Sequence, residues 1–88
     1  MLLTIDVGNT NTVLGVFEGE RIAHTWRVKT DARATADELM LTFRGLLDGI
    51  PVTGISLCST VPAVLREMRA MLARYYVGLP TVIVEPGV

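Results

Sequence analysis

The stretch that most limits what this chain can fold into is its first. Leu2 to Val7 is almost wholly apolar, and its one charged residue, Asp6, stands where the run passes into Gly8-Asn9-Thr10-Asn11-Thr12. A short apolar run of this kind reads as a central buried strand. An unpaired buried carboxylate is expensive, so Asp6 needs donors, a cation or water. Gly8 to Asn11 is turn chemistry: Gly and Asn tolerate positive φ, and Asn and Thr side chains satisfy local backbone groups. Thr12 to Phe17 resumes as a second strand, so the pair reads as a hairpin.

After a turn at Glu18-Gly19-Glu20, Arg21 to Lys29 alternates, with Ile22, His24, Trp26 and Val28 on one face. That is the pattern of a half-buried antiparallel strand. Thr35-Ala36-Asp37-Glu38 then fits a capping box, with Thr35 as N-cap. Ala36, Leu39, Met40, Phe43, Leu46 and Leu47 follow at helical spacing, and Gly49 with Pro51 ends the helix. Ile55 to Ser59 is a fourth strand. Pro62 opens a second helix whose apolar stripe is Val64, Leu65, Met68, Met71, Leu72, Tyr75 and Tyr76. Thr81 to Val84 is a fifth strand.

The order βββ-α-β-α-β predicts an α/β protein with one mixed sheet and helices packed on it. With 88 residues there is room for one domain and one core. Half the residues are hydrophobic, many in short β-branched runs that suggest strands covered on both faces. The chain stops at Glu85-Pro86-Gly87-Val88, just after a strand, where a final covering helix is expected. Without it one sheet face stays partly bare, and association or poor solubility of the isolated chain is expected.

Charge and cysteine usage narrow the function classes. The net charge is −1 and the basic residues are scattered, which argues against general nucleic-acid binding. No apolar stretch approaches the roughly 20 residues that span a bilayer. The N-terminus lacks an export pattern, so the cytoplasm is the default location and no membrane partner is expected. Cys58, the single cysteine, has no metal-ligand companions at suitable spacing and reads as a buried, inert thiol.

For Asp6 two readings stand side by side. In one it only accepts hydrogen bonds from the following turn. In the other it holds a hydrated Mg²⁺ while Gly8 to Thr12 wrap a phosphate. In that second reading Gly8 admits close approach, and Asn9, Thr10 and Thr12 add side-chain donors. Ser59 and Thr60, between a strand and a helix, read as helix caps that could also face a phosphate. His24 reads as a packed histidine with a wet edge, and Trp26 as a core or interface anchor. Arg66, Arg69 and Arg74 read as a solvated helix face.

A strand, D-x-G-N-T and a second strand resemble the first phosphate-binding element of the superfamily containing acetate kinase, sugar kinases, heat-shock chaperone ATPases and actin. Within it, Asp6-Val7-Gly8-Asn9-Thr10-Asn11-Thr12 is similar to the type III pantothenate kinases. So are Trp26-Arg27-Val28-Lys29-Thr30, Thr35-Ala36-Asp37-Glu38-Leu39, Ser59-Thr60-Val61-Pro62 and Glu85-Pro86-Gly87-Val88. The resemblance implies a ribonuclease-H-like fold and ATP-dependent phosphorylation of pantothenate, the entry step of coenzyme A synthesis. It implies Mg²⁺ and a monovalent cation, K⁺ or NH₄⁺, and a homodimer at full length. It assigns Asp6, Val7, Gly8, Asn9, Thr10, Asn11, Thr12 and Val13 to the ATP phosphates, and Asp6 to the metal. The general base and the cation site of the family belong to later motifs, including a G-A-D-R-like element, so no catalytic residue is assigned here. Residues 1–88 are therefore expected to form an incomplete N-terminal nucleotide-binding domain, without the base-bearing second domain and with little or no activity alone. Two alternatives remain: a kinase of the same superfamily with another acceptor, and a non-catalytic regulatory relative such as a transcriptional activator.

Overall fold

The structure, a computed structural model, describes residues 1–85; the expectation attached to Pro86-Gly87-Val88 lies outside them. The elements are β1 (Leu2–Val7), β2 (Asn11–Glu18), β3 (Arg21–Lys29), α1 (Ala36–Leu46), β4 (Gly54–Ser59), α2 (Pro62–Tyr75) and β5 (Thr81–Val84). This is the order read from the sequence, with boundaries moved by a residue at most.

One five-stranded sheet runs β3-β2-β1-β4-β5. The meander β1-β2-β3 is antiparallel, whereas β1-β4 and β4-β5 are parallel. Strand β1 therefore lies at the centre, where the antiparallel and parallel halves meet. Leu3, Ile5 and Val7 of β1, Leu14 and Val16 of β2, and Ile55 and Leu57 of β4 are each at most 2% exposed. They join Ala36 and Phe43 of α1 and Val64, Leu65, Met68, Met71 and Leu72 of α2 in one apolar core. The α1 capping box forms in full, with Thr35 Oγ1 accepting from the Glu38 N–H and Glu38 Oε1 accepting from the Thr35 N–H. A second carboxylate serves the same terminus, as Glu67 of α2 accepts from the Ala36 N–H at 3.0 Å. It ties the start of α1 to α2.

Three expectations need correction. The central strands are covered on one face only: burial alternates along β1 and β4, and Leu2, Thr4 and Asp6 are less buried than their neighbours. The alternation in β3 breaks at a bulge. Val16 pairs with His24 but Phe17 pairs with Ile22, so Ala23 is the extra residue and Ile22 falls out of phase with Trp26. Ile22 is accordingly 58% exposed. His24 is exposed as well, and stacks on Trp26 with ring centroids 5.6 Å apart instead of entering the core. Tyr75, placed by spacing in the α2 stripe, is exposed and donates its hydroxyl to Asp37 at 2.7 Å.

Candidate phosphate-binding site

The Val7–Thr12 pairing continues one step further, where the Gly8 N–H donates to the Asn11 carbonyl at 2.9 Å. Asn9 and Thr10 are thus the two-residue tip of a hairpin. Tips of this length favour turns with positive φ, because those match the strand twist. Among the described residues only Gly19, Gly49 and Gly78 have positive φ. The tip is therefore built without left-handed backbone and is not an alternating-hand nest. Gly8 is favoured for a different reason than the sequence suggested: a Cβ there would lie 3.2 Å from the Asn11 carbonyl oxygen, a tight contact.

Neighbouring strands hold this tip from both sides. Thr30, just past β3, donates its N–H to the Thr10 carbonyl at 2.9 Å and its hydroxyl to the Gly8 carbonyl at 2.7 Å. From the parallel side, Thr60 donates its N–H and its hydroxyl to the Val7 carbonyl at 3.1 and 3.3 Å. Of the carbonyls from Val7 to Asn11, those of Val7, Gly8, Thr10 and Asn11 are engaged. The N–H groups of Asn9 and Thr10 have no partner among the described residues. With four of these five carbonyls engaged, only that of Asn9 lacking a partner among the described residues, and two N–H groups free, the tip presents more donor than acceptor character, which suits an anion.

Asp6 stands beside the tip, and it is exposed. Its strand neighbours are Val13 and Cys58, directly across β2 and β4. No hydrogen bond or ion pair reaches its carboxylate among the described residues. The reading in which it only serves the following turn finds no bond to support it. The premise of a buried carboxylate also falls, because the face that carries Asp6 is the open one. Cys58 shares that face and is half-buried, not enclosed.

Of the segment 6–13, Asn9, Thr10 and Asn11 are exposed, Gly8 and Val13 are half-buried, and Val7 and Thr12 are buried. The Thr12 side chain points into the covered side, where its hydroxyl lies 2.8 Å from that of Thr30. The residues of Ser59-Thr60 do not cap α2 through side chains, since Val61 is the N-cap and has no side-chain bond. Ser59 Oγ instead accepts from the Val61 N–H at 3.1 Å, which fixes the corner from β4 into α2. Thr30 and Thr60 were not foreseen as holders of the loop. A signal existed in the Trp26–Thr30 and Ser59–Pro62 motifs, but their contact with the tip depends on register across the sheet.

A mixed sheet with a β1-β2-β3 meander, two strand-helix alternations and an aspartate at the end of its central strand has a ribonuclease-H-like fold. Solved structures agree: the chain superposes on Thermus thermophilus RuvC in complex with Holliday junction substrate with a TM-score of 0.66 and 22% identity, covering 97% of this chain and 64% of that one. It superposes on a ROK hexokinase from the same organism with a TM-score of 0.62 and 21% identity, covering 96% and 33%. These likenesses define the fold.

Sequence relationships carry the assignment further. Residues 2–88 match the family model for type III pantothenate kinase. The chain is 66% identical over 87 residues to a type III pantothenate kinase of Parafrankia sp., covering 99% of this chain and 34% of that protein. It is 63% identical over 90 residues to the one from Salinispora arenicola, covering 100% and 36%. The chain belongs to the type III pantothenate kinase family. It spans about a third of the length of these curated relatives.

Proposed function

We propose that this chain forms the ATP-phosphate-binding part of a kinase that transfers the γ-phosphoryl group of ATP to pantothenate, giving 4′-phosphopantothenate. The observation that carries the reading is the hairpin tip with engaged carbonyls and free N–H groups, set beside an exposed carboxylate that has no protein partner. Asn9, Thr10 and Asn11 orient the phosphates through backbone and side-chain donors. Thr30 and Thr60 keep the tip in shape from the two neighbouring strands. Phosphoryl transfer depends mostly on positioning and charge neutralisation, which is the work such a loop can do.

A divalent metal fits the residues present. Asp6 offers a hard oxygen ligand free of other bonds, and Mg²⁺ takes one or two carboxylates while keeping several waters. Asp6 would hold it through water, and the ion would supply charge neutralisation at the phosphates. No group of three or more candidate metal-ligating side chains occurs among the described residues. The monovalent cation and the general base are assigned to no residue here.

The test is a hybrid enzyme in which these 88 residues replace the matching segment of the Parafrankia relative. The hybrid is expected to form phosphopantothenate from ATP, and Asp6→Ala is expected to lower its rate by about 100-fold, as loss of one charge-stabilising group does. The 88-residue chain alone is expected to show no turnover. Full activity of the Asp6→Ala hybrid, or turnover by the chain alone, would refute the assignment.

A further inference from the structure

We infer that Thr30 is a positioning residue for nucleotide binding, and that Thr12, buried next to it, is not a phosphate donor but the start of a two-hydroxyl relay that ends on the Gly8 carbonyl. The inference rests on the reading of the hairpin tip as a phosphate site. Its basis is proton accounting. A threonine hydroxyl has one hydrogen to give and two lone pairs with which to accept. Thr30 Oγ1 donates to the Gly8 carbonyl at 2.7 Å, so its hydrogen is spent there. The 2.8 Å contact between Thr12 Oγ1 and Thr30 Oγ1 must then have Thr12 as donor. The hydrogen of Thr12 is committed in turn, and with 3% exposure its hydroxyl does not reach the loop's outer side.

The relay has a consequence for the sign of the loop. A carbonyl oxygen turned free toward a phosphate would repel it, and of the tip carbonyls only that of Asn9 lacks a donor among the described residues. Thr30 engages two of them at once, the Thr10 carbonyl through its N–H and the Gly8 carbonyl through its hydroxyl. It also supports a two-residue tip that lacks the positive φ such hairpins prefer. It acts through Gly8 and Thr10.

Two substitutions separate the hydroxyl from its neighbours. Thr30→Val keeps the shape but leaves the Gly8 carbonyl without a donor and the Thr12 hydroxyl without an acceptor; Thr30→Ser keeps the hydroxyl and drops the methyl. Calorimetric titration with Mg-ATP is expected to show binding about five- to tenfold weaker in Thr30→Val, the scale of one lost hydrogen bond, with Thr30→Ser close to the parent chain. Thr12→Val, if Thr12 gave its proton to phosphate, would weaken binding more than Thr30→Val; here it is expected to weaken it less. Nucleotide-free amide exchange provides a second reading, with faster exchange at Gly8 expected in Thr30→Val and rescue in Thr30→Ser. Parent-like binding and exchange in Thr30→Val, or failure of Thr30→Ser to rescue, would overturn the relay. If Asp6→Ala binds Mg-ATP as the parent does, the site reading fails instead. In that case the exchange experiment still decides the relay.

Discussion

The two faces of the central sheet differ in what they contribute. The covered face holds Leu3, Ile5, Val7, Leu14, Val16, Ile55 and Leu57 against two helices, and almost nothing there touches water. The open face carries Leu2, Thr4 and Asp6 from the same strand, with no helix over it among the described residues. Because side chains of a strand alternate, one run of six residues feeds both faces. Hydrophobic burial on one side anchors β1, and that anchoring lets the other side present an unpaired carboxylate at a fixed place. Stability and the proposed binding role are thus divided by the period of the strand.

Substitutions on the covered side should act on folding. Phe43→Ala, at 1% exposure in the core of α1, is expected to cost about 3–5 kcal/mol in urea unfolding. A loss under about 1 kcal/mol would mean that α1 is not packed on the sheet as described. Smaller effects are expected where helices meet solvent. Thr35→Ala removes the side-chain acceptor of the α1 N-cap and should cost about 1 kcal/mol, because the Glu38 N–H loses its bond to Thr35 Oγ1. An unchanged unfolding midpoint would show that the bonds from the Ala36 N–H to Glu67 and from the Thr35 N–H to Glu38 hold that terminus without the Thr35 hydroxyl.

The smallest effect is acid-dependent and joins the two helices. The Tyr75 hydroxyl, and then Arg74, hold the Asp37 carboxyl below its ordinary value. A carboxylate whose folded value is depressed stabilises the fold above its unfolded value, and that gain is lost as pH falls through the folded one. Asp37→Asn is therefore expected to flatten the acid side of the stability profile between about pH 5 and 2, leaving neutral stability little changed. The pair is exposed, so a large loss at neutral pH would contradict this.

Much of this fold was legible because its signals are local. The apolar run of β1, the Thr35/Glu38 box and Pro62 at the start of α2 each carry their physics within a few residues. The exposure of Ile22 was hidden by a bulge that depends on pairing with Phe17 and Val16. Which face of the sheet stays open was hidden too, since Thr4, Ser56 and Cys58 are small enough to suit either environment. The candidate site was half legible. Asp6 and the turn residues announce themselves, but Thr30 and Thr60 reach the tip only through strands distant in sequence, and Thr12 changes role once its partner is known.

On the proposed function, the open-face carboxylate and the hairpin tip together hold the phosphates of ATP. Equilibrium titration of the chain with ATP, with and without Mg²⁺, alongside Asp6→Ala, tests it most directly, with unfolding recorded on the same samples. The expected result is Mg²⁺-dependent binding that Asp6→Ala removes while the unfolding free energy stays within about 0.5 kcal/mol, as for an exposed side chain without partners. Binding that is indifferent to Mg²⁺ and to Asp6 would contradict the claim.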